Sequence, residues 1–494
     1  MREHLPALQI VVPLLAAPVC VLLRGARPAW VLALSVTWAA ALMSWDLLAR
    51  VLAAGAPISY HVGGWAPPYG IELRVDAVNA FVLVIVTAIS AVVMTAAPRS
   101  LEQEMPRERH YLFYAAYLLC MTGLLGMTIT GDAFNVFVFL EISSLSSYAL
   151  ISMGRTRRAL TSAYQYLVLG TLGGTFILLG IGLLYMATGS LNMANLYEIL
   201  HERGEANRTV EAALAFIVLG TSIKLAVFPL HIWLPNAYTF APAVVTAFLA
   251  ATATKVAYYV LVRFVFGVFG VGFAFGQMHL DAVLMPLALI AMFVASTVAI
   301  FQRDVKRMLA YSSVAQIGYM VLGLSFASVT GLTGGIVHLF NHALMKSGLF
   351  LALAAVVLRA GSTHLDDLRG IGRRMPLTMG AFVLGGLSLI GVPLTAGFVS
   401  KWYLVLAALE GGLWPVAVMI LLSSLLAVVY VWRVVEVAYF QDPPEGATKL
   451  ERAPLGLLLP TWVLVGATVY FGVFTDQTAA VAARAARLLM GVAP

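Results

Sequence analysis

The sequence predicts an all-α polytopic membrane protein with about 14 transmembrane helices. Of the 494 residues, 61% are hydrophobic and 11% are charged, whereas about 25% of residues are charged in a typical soluble domain. The mean hydropathy is +0.92. Apolar runs long enough to span a bilayer, about 20 residues each, recur from Leu5 to Phe471. These observations exclude a cytosolic enzyme, a nucleic-acid-binding protein and a disordered scaffold.

The sequence carries no cofactor signature. Its two cysteines, Cys20 and Cys120, each lie within an apolar run, and no Cys-x-x-Cys occurs. Iron–sulfur ligation is therefore excluded, and a disulfide framework is not expected. No P-loop and no Gly-x-Gly-x-x-Gly occurs, so the chain offers no ATP or dinucleotide site. We expect no cofactor, no bound metal and no nucleic-acid partner.

The apolar segments follow one another with short connections. The first is interpreted as a retained span, because no charged region with a small-residue cleavage site accompanies it. The predicted segments are residues 5–23, 29–54, 73–97, 111–130, 132–153, 161–188, 210–239, 242–269, 280–301, 308–325, 329–358, 376–408, 414–440 and 455–476.

The loop charges test this count and orient the chain. Alternate loops, starting with the one after the first span, carry 17 Lys and Arg residues including Lys449, whereas the opposite side carries 7 including Arg203. Loops rich in Lys and Arg stay in the cytoplasm. A span missed in the count would move every later loop to the wrong side of the membrane and abolish the charge bias. We therefore predict a multi-pass protein of the cell inner or plasma membrane with both termini outside. The same bias accounts for the net charge of +7.

Two segments are interrupted inside the membrane. Residues 228–235 (FPLHIWLP) break the seventh, and residues 391–397 (GVPLTAG) break the twelfth. Internal Pro and Gly leave backbone groups without helical partners, and broken spans in corresponding halves are typical of transporters. A plain proline kink is the alternative for either segment alone. Both breaks lie near an intramembrane lysine, which favours the transporter interpretation.

The spacing of the breaks predicts an internal repeat. Gly189-Ser190 ends the sixth segment and Gly361-Ser362 ends the eleventh. Five segments is an odd number, so the second copy must be inverted in the membrane. We predict three N-terminal transmembrane helices in residues 1–110, a first five-helix repeat in 111–269, an inverted second repeat in 280–440, and a C-terminal helix with a short tail in 455–494.

Cations inside the spans are mostly lysines. The chain has only six lysines against 24 arginines, yet four of the six cations within spans are lysines. A lysine can lose its proton when it is desolvated, whereas an arginine cannot. Burying a charge at the bilayer centre costs about 2.5–3.5 kcal/mol, so this selection indicates proton exchange. The six cations are Lys224, Lys255, Arg263, Lys346, Lys401 and Arg433.

Glu141 is the candidate acid. It lies nine residues after Asp132, about 14 Å along a helix, and therefore in mid-membrane. We interpret it as a proton-exchanging carboxylate paired with a cation. The alternative is a protonated acid bonded to a neighbouring helix, which the nearby serines permit.

Lys224 and Lys255 are candidate relay groups. Lys224 precedes Pro229 by five residues, and Lys255 lies thirteen after Pro242, about 20 Å into its helix. Each could instead be the structural partner of one carboxylate. Only Glu141 and Glu436 lie deep enough in predicted spans to pair with a buried lysine. The four intramembrane lysines outnumber these acids, which favours proton relay.

His338, His342 and Lys346 stand at i, i+4 and i+8. This spacing places them on one helix face, in a ladder about 12 Å long. Histidine titrates near neutral pH and can pass protons through water. A zinc site and an ordinary polar helix contact are the alternatives, but no third metal ligand is evident and the aligned lysine favours a relay.

Lys401 follows Pro393 in the second broken segment by eight residues. It could serve as a further relay group, or it could snorkel to an interface beside Trp402 and Tyr403. Arg433 and Glu436 are expected to form an i, i+3 ion pair at the interface, without a role in transport.

Several of these motifs resemble a known family. Residues 302–313 (QRDVKRMLAYSS), residues 338–346 (HLFNHALMK), and Lys224 with residues 228–235 are similar to signatures of the antiporter-like proton-pumping subunits of respiratory complex I. Within that family the chain most resembles the D-type subunits of the Mrp-type multisubunit monovalent cation/proton antiporters. Lysine rather than glutamate at position 401 supports this, as does a chain that stops at Pro494 without a long lateral helix or an extra C-terminal domain.

The resemblance implies roles for the candidate residues. Glu141 and Lys224 would be the input pair, Lys255 and the His338, His342, Lys346 ladder the connection, and Lys401 the terminal site. It also implies a transporter subunit and not an enzyme, working with other subunits in the lipid bilayer. Protons would cross in exchange for a monovalent cation, sodium. The alternative is an antiporter-like subunit of a complex I-type enzyme, in which quinone reduction drives proton movement along the same residues.

Overall fold

The computed structural model describes residues 2–202, 207–443 and 450–492, which are almost entirely helical. A short hairpin of β1 (Ile58–His61) and β2 (Glu72–Val75) accompanies the helices. The helices are α1 (Leu5–Leu23), α2 (Ala26–Ala54), α3 (Ala77–Glu104), α4 (His110–Ile129), α5 (Ala133–Ser152), α6 (Arg157–Thr188), α7 (Met193–Glu202), α8 (Arg208–Leu225), α9 (Trp233–Phe240), α10 (Ala243–Phe264), α11 (Leu280–Ile300), α12 (Val305–Ser325), α13 (Val329–Ala360), α14 (Ile371–Arg374), α15 (Pro376–Ile390), α16 (Ala396–Glu410), α17 (Trp414–Val435), α18 (Leu455–Val473) and α19 (Asp476–Leu489).

The fold class predicted from the sequence is confirmed. Twelve helices in the described part of the chain are long and apolar enough to cross a membrane. The two interrupted segments form the helix pairs α8/α9 and α15/α16, which complete the predicted fourteen. Arg203, Lys449 and Pro494, which entered the predictions of orientation and domains, lie outside the described residues.

Two parts of the chain repeat the same local structure. Both α6 and α13 have 32 residues and end at a left-handed glycine, Gly189 (φ 73°) and Gly361 (φ 74°). Asp132 caps α5 and pairs with Asn192, and Asp304 caps α12 and pairs with His364. These agreements, at a constant offset in the sequence, support two copies of one unit. The domain boundaries drawn from the sequence stay a prediction.

Helix α13 forms the centre of the molecule. It packs against α3, α10, α12, α15, α16 and α18, and its residues from Gly331 to Val356 are buried. Helices α6, α11 and α17 lie at the periphery and expose apolar side chains such as Leu172, Val294 and Leu425. Exposed apolar side chains on a spanning helix suit lipid or a neighbouring subunit. The four candidate lysines are instead buried, so they lie inside the bundle and not on this apolar outer surface.

Candidate functional site

Lys224 lies where the first broken helix ends. Helix α8 stops at Leu225 because Ala226 adopts a left-handed conformation with φ 63°. The indole Nε1 of Trp233, at the start of α9, donates a hydrogen bond of 2.9 Å to the carbonyl of Ile223. Helix ends leave carbonyls without intrahelical partners, and the indole supplies one. The break therefore has a fixed geometry that holds Lys224 at the end of α8.

Glu141 and Lys224 are brought together as predicted. The Lys224 Nζ lies 3.9 Å from the Glu141 Oε1 and donates a 2.7 Å hydrogen bond to the Ser144 Oγ. Glu141 is 25% exposed and Lys224 is 6% exposed. The Glu141 Oε1 is buried without a hydrogen-bond partner among the described residues, and a Cβ atom added at Gly174 of α6 would collide with it. The ion pair is therefore loose, and the space for Glu141 depends on a glycine.

A small cavity lies beside Lys224. Its volume is about 30 Å³, enough to admit a water molecule. It is lined by Lys224, Ser144, Thr221 and, on α10, by Ala253 and Ala257. The cavity therefore extends from the end of α8 to the helix that carries Lys255.

Lys255 is fully buried. Its Nζ donates to the Ala250 carbonyl and lies 3.3 Å from the Thr254 Oγ1. The Tyr238 hydroxyl, on α9, interacts with Thr254 and donates a 3.3 Å hydrogen bond to the Leu249 carbonyl. Tyr238 is not among the residues predicted from the sequence, although it lies only five residues after Trp233. The half-helix α9 thus contacts both the end of α8 and the surroundings of Lys255.

The histidine ladder on α13 has the predicted geometry. The rings of His338 and His342 lie 6.0 Å apart with an angle of 18° between their planes. The His338 Nδ1 is 2.8 Å from the Ser400 Oγ. The His338 Nε2 and both ring nitrogens of His342 are buried without a hydrogen-bond partner in the described part of the chain. Three unpaired nitrogens in line are suited to binding water or exchanging protons.

Lys346 continues the ladder toward α12. Its Nζ donates a 2.7 Å hydrogen bond to the Leu309 carbonyl and a short one to the Ser312 Oγ. The zinc alternative for the ladder finds no support, because no group of three or more His, Cys, Asp or Glu side chains in the described chain could hold a metal ion.

Lys401 joins the two halves of the second broken helix. Its Nζ, on α16, donates hydrogen bonds to the Ile390 and Leu389 carbonyls at the end of α15, and to the Ser424 Oγ. Lys401 is 6% exposed, so it does not snorkel to an interface. A cation at a helix C-terminus complements the free carbonyls and the helix dipole.

Tyr319 connects Lys401 with the ladder. The Lys401 Nζ lies 4.8 Å from the centre of the Tyr319 ring, within cation–π range, and the same ring is 5.4 Å from that of His338. The Tyr319 hydroxyl donates a 3.0 Å hydrogen bond to the Ser423 Oγ. Tyr319 is also absent from the predicted residues, because a tyrosine in an apolar helix carries no distinguishing signal.

A second group of buried charges has no counterpart among the predicted site residues. Lys306, counted with the loop cations, is 6% exposed, and its Nζ donates a 2.7 Å hydrogen bond to the Ala241 carbonyl. The Glu104 carboxylate accepts hydrogen bonds of 3.1 and 3.0 Å from the Ala243 amide. These residues satisfy the backbone between α9 and α10, which indicates a structural role.

The predicted Arg433–Glu436 ion pair is wrong. Arg433 donates instead to the Gln302 carbonyl at 3.4 Å, and Glu436 begins a π-helical turn at the end of α17. The wider turn of a π-helix alters the i, i+3 geometry on which the expectation rested. Arg263 forms its ion pair with Asp76, at 2.8 Å.

Comparisons with known proteins agree with this architecture. The chain is 44% identical over 498 aligned residues to the N subunit of NADH-quinone oxidoreductase from Desulforudis audaxviator, with 97% of each chain covered. It is 30% identical to the D subunit of the Na(+)/H(+) antiporter from Alkalihalophilus pseudofirmus, over 83% of this chain and 82% of the relative. A solved chain of the Mrp complex from Dietzia sp. DQ12-45-1b superposes with a TM-score of 0.90 and 26% identity, covering 99% of this chain and 97% of the other.

The names of these relatives describe each of them as a subunit or a chain of a larger complex. Residues 130–427 match the family described as NADH:quinone oxidoreductase/Mrp antiporter, TM, and that stretch contains Glu141, the four candidate lysines and both ladder histidines. The chain therefore belongs to the NADH:quinone oxidoreductase/Mrp antiporter transmembrane family.

Proposed function

We propose that this chain is the proton-translocating membrane subunit of a multisubunit complex. Protons would move along a path formed by Glu141, Lys224, Lys255, His338, His342, Lys346 and Lys401. The observation that carries the proposal is the line of buried, titratable side chains on α5, α8, α10, α13 and α16, most of which are bonded to neutral groups and not to carboxylates. A protein stabilised by ion pairs would not need such a line, because each buried, uncompensated ammonium is costly.

The loose Glu141–Lys224 pair provides the input. When Glu141 is ionised, its charge stabilises the Lys224 ammonium across 3.9 Å. When Glu141 is protonated, or when its carboxylate moves away from Lys224, the Lys224 Nζ keeps only the neutral Ser144 hydroxyl as a partner. The buried ammonium then has no compensating charge. The proton then moves inward through the cavity beside Thr221 toward α10.

The half-helices link the two ends of the path. Helix α9 contacts Ile223 through Trp233 and Leu249 through Tyr238. At the other end, Ser400 bonds His338 while its neighbour Lys401 bonds the end of α15. A change of protonation at either end can therefore alter the backbone geometry of a broken helix, where carbonyls lack helical partners.

We further propose that proton movement is exchanged for a monovalent cation, sodium. The similarity to the D subunit of an Na(+)/H(+) antiporter and to a chain of the Mrp complex supports this. We assign the cation path in part to partner subunits, which the exposed apolar faces of α6 and α17 would contact. Lipid would cover the remaining spanning surface.

A second candidate function has its own support. The relative that is 44% identical over 97% of the chain is the N subunit of an NADH-quinone oxidoreductase, which favours the same proton path driven by a redox reaction. The two couplings differ in what starts proton uptake in the assembled complex. Sodium gradients would drive it in an antiporter, and electron transfer to quinone would drive it in a redox complex.

Glu141→Gln tests the common part of both candidates. The substitution removes a charge with little change in shape, so the complex should assemble but translocate protons at least about tenfold more slowly. Proton uptake into everted vesicles is the measurement, with sodium or an electron donor applied in turn. Glu436→Gln, which neutralises an acid away from the path, is the matched control. Normal translocation by assembled Glu141→Gln complex would overturn the proposal.

A further inference from the structure

A large cavity opens between α3, α7, α10 and α19. Its volume is about 410 Å³, many times what one water molecule requires. Its wall includes eight ionisable or hydroxyl-bearing residues: Arg74, Asp76, Thr130, Tyr197, Glu198, Tyr259, Arg263 and Arg484. Residues 55–57, 130–131 and 491, from connections that the loop charges place outside, also line it. The cavity therefore lies at the end of the molecule for which the sequence predicts an external position.

One face of α10 leads from Lys255 to this cavity. Lys255, Tyr259 and Arg263 stand at i, i+4 and i+8, and therefore lie above one another. Their exposed fractions rise in that order, from 0% to 3% to 16%. The distance covered is about 12 Å along the helix. The ladder on α13 has the same spacing, so Lys255 occupies the inner end of a second ladder that opens to water.

Asp76 balances the charge of Arg263, where α10 reaches the cavity. The Arg263 Nη2 lies 2.8 Å from the Asp76 Oδ2, and the Arg263 Nε donates a 3.1 Å hydrogen bond to the Tyr259 hydroxyl. The Tyr259 hydroxyl also interacts with the Asn79 side chain. A hydroxyl that accepts a hydrogen bond can still donate its own proton. Asp76 neutralises a guanidinium that would otherwise repel a hydronium ion at the cavity wall.

We propose that this cavity is an aqueous outlet that passes protons between Lys255 and the outside, with Tyr259 as the bridging hydroxyl and Asp76 as the residue that cancels the Arg263 barrier. The inference rests on the proposed function, since it takes Lys255 as a group that exchanges protons. It adds a route along α10 to the path that ends at Lys401.

Asp76→Asn tests the outlet. Asparagine caps a helix as well as aspartate does, so the substitution preserves the start of α3 and removes only the charge. With Arg263 uncompensated, proton translocation by the assembled complex should fall by about tenfold. The double variant Asp76→Asn with Arg263→Gln removes both charges and should recover most of that loss. Recovery would separate an electrostatic barrier from general damage to the fold.

Asp46→Asn is the matched control. Asp46 pairs with Arg50 at 2.6 Å near the end of α2, outside the cavity wall. The assembled complex with Asp46→Asn should translocate protons at the wild-type rate. Wild-type translocation by Asp76→Asn would overturn the outlet, as would a double variant no faster than Asp76→Asn. Glu141→Gln, measured in parallel, separates the two proposals, because its inactivity would leave the proposed function standing when the outlet fails.

Tyr259→Phe gives an independent test, since it removes one hydroxyl and no charge. We expect a loss of about tenfold, and a wild-type rate would contradict the bridging role. Ala194→Cys tests access to the cavity wall, with little background because Cys20 and Cys120 are fully buried. A membrane-impermeant thiol reagent applied outside should label Cys at this position and slow translocation. Labelling only from the cytoplasmic side would overturn the assignment.

Discussion

The Nζ of Lys401 lies 2.7 Å from the carbonyl oxygen of Ile390, so the second half of a broken helix supplies the donor that the first half lacks. Gly391, with φ 91°, ends α15 and turns the chain out of the helix. The last carbonyls of α15 then have no intrahelical donor. In the proposed path, loss of a proton from Lys401 would weaken its hold on the break, because an ammonium complements these carbonyls better than a neutral amine does.

Lys401→Met should abolish this coupling. Methionine preserves much of the volume but removes the donor and the charge, so we expect translocation to fall at least about tenfold while the complex still assembles. Arg433→Met is the control, because Arg433 also donates to a backbone carbonyl, that of Gln302, but lies off the path. Equal losses in the two variants would contradict a specific role for Lys401. Proton uptake in vesicles is the measurement.

Lys255→Arg separates proton relay from fixed positive charge. Arginine keeps its proton under all conditions relevant to proteins, so a relay at position 255 should be nearly as inactive with arginine as with alanine. Lys306→Arg is the control, since Lys306 is a buried lysine that bonds the Ala241 carbonyl and should tolerate a permanent charge. Translocation is measured from neutral to alkaline pH, with assembly of the complex checked at the same time. An active, assembled Lys255→Arg complex would refute the relay.

Tyr238→Phe tests whether α9 communicates with Lys255. The substitution removes the hydroxyl that bonds the Leu249 carbonyl and contacts Thr254, so we expect translocation to slow several-fold without loss of assembly. In Tyr117→Phe, an equally buried hydroxyl that donates to the Ser90 carbonyl at 2.9 Å is removed on α4, away from the path. The two variants should lose similar stability, about 1 kcal/mol each, but only Tyr238→Phe should slow translocation. Thermal unfolding and proton uptake together decide between the outcomes.

Gly174→Ala should displace Glu141. A methyl group at position 174 would collide with the Glu141 Oε1, so the carboxylate must move and the Glu141–Lys224 pair must change. We expect a marked loss of translocation with normal assembly. On the same helix, a Cβ atom at Gly182 would meet no atom within 4 Å, and Gly182→Ala should be neutral or stabilise the helix by about 0.5–1 kcal/mol. Unimpaired proton uptake by Gly174→Ala would show that the position of Glu141 is not critical.

Much of the architecture was predictable because a membrane limits what the backbone can do. The hydrocarbon core requires long apolar helices with satisfied backbone groups, so spans such as residues 280–301 were predicted to within a residue of α11 (Leu280–Ile300). Pro and Gly within residues 228–235 and 391–397 located both breaks. The ladder on α13 was equally predictable, since it depends only on helical periodicity.

Tertiary structure alone decided which groups meet. Ser400 bonds His338 across 62 residues of sequence, and Arg263 reaches Asp76 across 187. Such partners depend on the rotation and crossing of helices that are distant in the chain, which no local pattern encodes. The Arg433–Glu436 prediction failed for a related reason, because a π-helical turn changed a spacing that is regular only in an α-helix.

By itself, then, the sequence determined that the chain spans the membrane about fourteen times, where two spans break, and that its intramembrane cations are mostly lysines able to release a proton. Each of these features can be recognised in a single segment, because the bilayer requires every spanning helix to be long and apolar by itself. Packing of the helices decided that Tyr319 lies between Lys401 and His338, that α9 contacts the surroundings of both Lys224 and Lys255, and that the face of α10 beyond Lys255 opens into a cavity. A buried polar group acquires its partner only when another helix is placed against it.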